Sequence, residues 1–78
     1  MNIIIKAPLM QDMIKDLLDG GVFEGVVFSF VEKKGMDLTF SATGANIETM
    51  DIAAVAKKAI KSTEYGKGIY FSVLQKDS

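Results

Sequence analysis

The sequence predicts a small two-layer α+β domain in which two helices lie on one face of an antiparallel sheet. Three observations carry this expectation. Two stretches, 9–18 and 51–61, place apolar residues at helical spacing with charged residues between them. The segment 36–43 alternates apolar and polar residues as a half-buried strand does. Further runs rich in β-branched and aromatic residues, 3–5, 22–31 and 69–74, supply the remaining strands.

Taken in order, Ile3-Ile4-Ile5 reads as a buried strand, and Pro8 marks the first position of a helix, where its missing N–H costs nothing. Leu9, Met10, Met13, Ile14, Leu17 and Leu18 form that helix's apolar stripe, and Gly20-Gly21 ends it. The segment 22–31 reads as one long strand bulged near Gly25. Lys33-Lys34-Gly35 makes a short hairpin loop. In the strand that follows, Met36, Leu38, Phe40 and Ala42 point inward. A second helix carries Ile52, Val55, Ala56, Ala59 and Ile60 on its buried side, with Asn46 or Thr49 as its cap. Ile69 to Leu74 forms the last strand, and 75–78 are expected to fray.

The predicted order is strand, helix, strand, strand, helix, strand. It is that of a ferredoxin-like β-α-β-β-α-β two-layer sandwich, with a four-stranded antiparallel sheet and both helices on one face. The first and third strands would then be central and the second and fourth would form the edges. Residues 1–78 are expected to make one domain.

Composition narrows the function. The chain is 49% hydrophobic with five Phe, which argues for a packed core rather than disorder. There is no Cys, so no disulfide reinforces a small fold and no thiol chemistry is available. There is no His either, which removes the commonest general base and, with Cys, the usual zinc ligands. The N-terminal Met1-Asn2-Ile3-Ile4-Ile5-Lys6 lacks the basic and apolar regions of a secretory signal, and no apolar run approaches the roughly 20 residues a spanning helix needs. A cytoplasmic protein with no cofactor and no bound metal is expected.

The net charge is −1, and all nine basic residues are Lys. Without Arg, the rigid fork that reads guanine edges and clamps phosphate is missing, so sequence-specific nucleic-acid recognition is not expected. Asp12, Asp16 and Asp19 share one side of the first helix, as a hard-cation site, an acidic docking patch or a solvated face. Asp16 and Asp19 lie at the end of the helix where the dipole disfavours them. Lys57, Lys58 and Lys61 similarly form an anion patch or a solvated face. The Gly-containing stretches at 20–25 and 66–68 match no phosphate-binding loop, and caps and turns explain them.

The sheet carries the functional expectation. Alternation leaves Val27, Ser29, Val31, Thr39, Ser41, Tyr70, Ser72 and Leu74 on the side away from the helices, a face light in charge. Ile4 and Lys6 join them. The second strand, with Glu24 as its one charged residue, resembles an unguarded edge. Together these point to a non-catalytic protein-binding domain that acts through the open face or that edge. It would be a homodimer, or a small inhibitor or adaptor of the kind phages and mobile elements direct at host machinery. The alternatives are a single-stranded nucleic-acid binder and a small-ligand sensor. The stretch 34–40 bears a slight likeness to the central strand motif of RNA-recognition domains, but the outward stacking aromatics are missing and Tyr70 is the one candidate stacker. A sensor would use the loop Thr43-Gly44-Ala45-Asn46 to offer backbone donors to an anion.

Overall fold

In the computed structural model, which describes residues 1–76, strand β1 (Asn2–Lys6) is followed by helix α1 (Gln11–Leu18). Strands β2 (Val22–Phe23), β3 (Val26–Lys34) and β4 (Asp37–Thr43) come next, then helix α2 (Ile52–Lys61) and strand β5 (Ser72–Lys76). Short 3-10 turns at Ile47–Thr49 and Tyr65–Lys67 flank α2. The five strands form one antiparallel sheet in the order β2-β3-β4-β1-β5, curled into a half-barrel. The α+β class is as expected; the plain four-stranded ferredoxin-like sheet is not what the chain builds.

The extra strand comes from two residues. Glu24 and Gly25 both take positive φ, 52° and 81°, which is the backbone of a tight hairpin whose twist matches its strands. The segment 22–31 therefore folds back on itself, and Val22 and Phe23 pair with Val27 and Val26. Gly25 is a turn residue rather than a bulge. The register irregularity falls instead at Val31, between the pairs Phe30–Phe40 and Glu32–Thr39. At the second hairpin β3 continues through Lys34, which pairs with Asp37, so Gly35-Met36 is the loop. Met36 is consequently exposed instead of inward, whereas Leu38, Phe40 and Ala42 are buried as the alternation requires.

Helix α1 is shorter than its apolar spacing suggests. Met10 sits in the left-handed region at φ 62°, so Pro8 and Leu9 precede the helix instead of starting it. Ile14 and Leu18 are fully buried, and Leu17 packs partly against the core. Leu9, Met10 and Met13 remain exposed. Helix α2 follows the expected stripe, with Ile52, Val55, Ala56, Ala59 and Ile60 buried. Its cap is Asp51, whose Oδ1 accepts the Ala54 N–H at 3.1 Å. Asn46 and Thr49 belong to the preceding 3-10 turn, where Thr49 Oγ1 donates to the Asn46 carbonyl at 3.0 Å.

The core lies between the helices and one face of the sheet. Ile3, Ile5, Val26, Phe28, Leu38, Phe40 and Ala42 project from the strands, and no polar or charged side chain is buried among the described residues. Phe30 meets Phe40 edge to face, with ring centroids 5.6 Å apart. The last third of the chain is tied down at two points. Tyr65 donates its hydroxyl to the Met13 carbonyl at 3.2 Å, and β5 pairs along β1 from Lys6–Ser72 to Asn2–Lys76. The last strand therefore begins at Ser72 rather than Ile69, and Gln75 and Lys76 are paired rather than frayed. Asp77 and Ser78, also expected to fray, lie outside the described residues.

Of the glycines, Gly66 leaves the least room for a side chain. It is buried, and a Cβ at this position would overlap the Ile60 carbonyl oxygen at the end of α2. That oxygen already accepts the Thr63 hydroxyl and backbone N–H, so it cannot simply move away. Gly66→Ala is expected to cost on the order of 1–3 kcal/mol or more, as overpacking in a tight interior does. In a domain this small that is a large part of the total stability. Urea denaturation read by circular dichroism should show a lower midpoint with little change in slope, while Gly68→Ala, which meets nothing within 4 Å, should be close to neutral.

Candidate functional site

The outer face of the sheet, away from both helices, is built in rows across four strands. Ser29, Ser41, Asn2 and Lys76 form one row, Glu32, Thr39, Ile4 and Leu74 the next, and Lys34, Asp37, Lys6 and Ser72 the third. Val27 stands opposite Thr43 at the far end. Of the residues expected on this face, Val27, Ser29, Thr39, Ser41, Ser72 and Leu74 are thus brought together. Val31 is the extra residue of the bulge and is exposed.

The face is not light in charge. The bulge at Val31 changes the phase of β3, placing Glu32 opposite Thr39 and Lys34 opposite Asp37. With Lys6 and Lys76, five charged side chains share the face. Asp37 lies directly between Lys34 and Lys6, an arrangement of opposite charges that favours this register. The apolar part narrows to the pair Ile4–Leu74, beside the last strand, and the pair Val22–Val27 at the far end. Leu74 is 54% exposed.

The two edges of the sheet differ in kind. Along β3, the chain's own segment 19–23 covers the strand. Phe28 donates its N–H to the Gly21 carbonyl at 3.1 Å and accepts from the Gly20 N–H at 2.7 Å. The Phe30 N–H donates to Asp19 Oδ1 at 3.0 Å. Past that point Glu32, Lys33 and Lys34 carry charge, a usual deterrent to strand pairing. The edge expected along 22–31 is therefore reduced to the two residues of β2, which pair with β3 on one side. The opposite edge is β5, which pairs with β1 on one side and, among the described residues, with nothing on the other.

Asp19 also settles one puzzle of α1. Its place at the unfavourable end of the helix dipole is offset by its bond to the Phe30 N–H. Asp12 and Asp16 are exposed on the same helix, and among the described residues no three acidic side chains are placed to hold a metal ion. Lys15, between them in sequence, lies over the Phe30 ring with its Nζ 4.5 Å from the centroid.

Tyr70 is not on the sheet. It precedes β5, is 90% exposed, and lines a groove of about 310 Å³ with Lys57, Lys61, Ile69 and Phe71. A second cleft of about 300 Å³ lies between the first hairpin and α2, with Val22, Phe23, Val55 and Ala59 as its apolar lining. The loop Thr43-Gly44-Ala45-Asn46 leads into the 3-10 turn rather than into α2, so it does not present the start of a full helix to an anion.

One surface feature escaped the sequence reading. Leu9, Met10, Met13 and Met36 are all exposed. The two segments that carry them are adjacent, since the Ala7 N–H donates to the Met36 carbonyl at 3.0 Å. The helical spacing assigned three of these residues to the core, and the left-handed Met10 that breaks the helix has no signal in its residue type.

Comparison with protein-family models, with curated proteins and with solved structures finds no match. No helix among the described residues is long and apolar enough to cross a membrane.

Removing the Asp19 carboxylate tests how the β3 edge is closed. In Asp19→Ala the Phe30 amide should exchange with solvent about tenfold faster, the equivalent of one net hydrogen bond. The Phe28 amide, held by Gly21 rather than by Asp19, should change much less. Native-state hydrogen exchange reads both amides in one experiment.

Proposed function

We propose that this chain is a non-catalytic protein-binding domain that docks through the β5 side of its sheet. The observation that carries the proposal is an asymmetry. At one end of the sheet the terminal strand is only the two residues of β2, with Asp19 and charged residues guarding the rest of β3. At the other end β5 offers five residues that, among the described residues, are unpaired on one side and lie next to the apolar pair Ile4–Leu74. Main-chain hydrogen bonds from an added strand provide affinity, and side chains on the adjoining face provide selectivity. The exposed cluster of Leu9, Met10, Met13 and Met36 also supports a contact role, because flexible Met side chains adapt to varied partners.

A second copy of the chain is a suitable partner. Antiparallel pairing of β5 about Leu74 sets Leu74 against its counterpart, Val73 against Gln75, and Ser72 against Lys76, with no like charges opposed. A small inhibitor or adaptor that offers the same strand to a foreign sheet would use the same groups. The absence of His and Cys from the sequence supports reading the domain as a binder rather than an enzyme. Support for a ferredoxin-like reading of the fold is limited to the order of the four longer strands, β3-β4-β1-β5.

Leu74→Lys tests the proposal, since it adds charge beside the free edge without touching the core. Light scattering across a concentration series should give a mass rising above the 8.5 kDa monomer for the wild-type chain and a fixed monomer for the variant. Equal masses for the two proteins at every concentration would rule out a homodimer formed through β5. The foreign-partner form then requires that cross-linking with wild-type bait capture a stoichiometric protein that Leu74→Lys bait loses.

A further inference from the structure

The groove beside α2 joins two features that are far apart in the chain. Lys57 and Lys61 are four residues apart on α2, so their side chains project from the same side of the helix. Facing them is the segment 69–71, where Tyr70 is almost wholly exposed while Ile69 and Phe71 pack partly against the core. Among the described residues, no acidic side chain lines the groove. A protein with a net charge of −1 has no global attraction for anions, so this local pairing of cations is a feature of the site rather than of the whole surface.

We propose that this groove binds a nucleotide unit, its base against the Tyr70 ring and its phosphate between Lys57 and Lys61. Each part of such a ligand answers one part of the site. A phosphate or carboxylate alone would engage the two lysines and leave the ring unused. An apolar ligand would use the ring and leave two cations beside it. A planar ring bearing a phosphate uses both, as single strands do when bases stack on aromatics and the backbone meets Lys. The volume, about 310 Å³, is at the lower end for ligand sites and suits one such unit. The site lies beside the helix layer, so it is distinct from the outer sheet face and does not depend on the docking proposal.

The chemistry has two sources, a free nucleotide or one residue of a single strand, and the test separates them. The full chain is titrated at low salt with adenosine 5′-monophosphate, a short oligodeoxyadenylate, adenosine and inorganic phosphate, and backbone amide resonances are followed. Saturable shifts centred on Lys57, Lys61, Tyr70 and Phe71 are expected with the first two ligands. Adenosine and phosphate alone should bind about tenfold more weakly, each lacking one half of the recognition. An oligomer that binds more tightly per nucleotide identifies the strand as the source, with a logarithmic salt slope of about −0.7 for the one phosphate held by the two lysines. Equal affinity per nucleotide identifies the free ligand.

Tyr70→Leu and the double change Lys57→Gln with Lys61→Gln should each weaken binding about tenfold. All three side chains are exposed, so the fold is not at risk. No saturable shift with either ligand at millimolar concentration would overturn the proposal. So would undiminished binding by both variants, or shifts confined to Ile4, Leu74 and their neighbours on the outer face.

Discussion

One constraint shapes this molecule: helices of eight and ten residues are enough to cover one face of a five-stranded sheet and no more. Burial is accordingly one-sided. Alternate residues of β1, β3 and β4 are fully enclosed, and their neighbours face outward. A small domain buries a limited fraction of its surface, so it has few apolar contacts to spare. The chain spends them on the inner face, with Phe28 and Phe40 as its largest fully buried side chains. The outer face is left to be satisfied by water, by cross-strand pairs and by contact with another molecule.

The treatment of the sheet edges follows from that economy. An uncovered strand edge presents unpaired N–H and C=O groups and invites pairing with other chains. At β3 the chain answers with the backbone of Gly20 and Gly21, the two residues of β2 and the Asp19 carboxylate, three short devices acting within five residues. Shortening one edge to two residues while leaving five residues plain at the other is what gives β5 its interest. The side of Ser72–Lys76 that no described residue pairs lies next to Ile4 and Leu74, so main-chain and apolar contacts are available together.

Much of the fold was legible because its signals are periodic. The stripe Ile52, Val55, Ala56, Ala59 and Ile60 fixed α2, and Leu38, Phe40 and Ala42 fixed the inward face of β4. The errors occurred where single residues take unusual backbone conformations. Glu24 and Met10 both adopt positive φ, which non-glycine residues seldom do, and neither residue type announces it. Glu24 turned one expected strand into a hairpin, and Met10 shortened α1 and exposed Leu9 and Met13. The candidate site was readable as a face but not in its detail. Six of its residues do share the outer side, yet a one-residue bulge at Val31 rephased β3 and brought Glu32 and Lys34 onto it. Tyr70 left the sheet because the strand begins two residues after it, which placed it beside lysines more than eight positions earlier.

Hydrogen exchange at low and high protein concentration addresses the one-sided sheet most directly. The Phe28 and Phe30 amides, held within the chain, should be equally protected at both concentrations. Amides among Ser72–Lys76 that β1 does not hold should exchange freely when dilute and become protected when concentrated. Protection of every β5 amide regardless of concentration, with no protein partner present, would contradict the account, because the edge would then already be closed within a single chain.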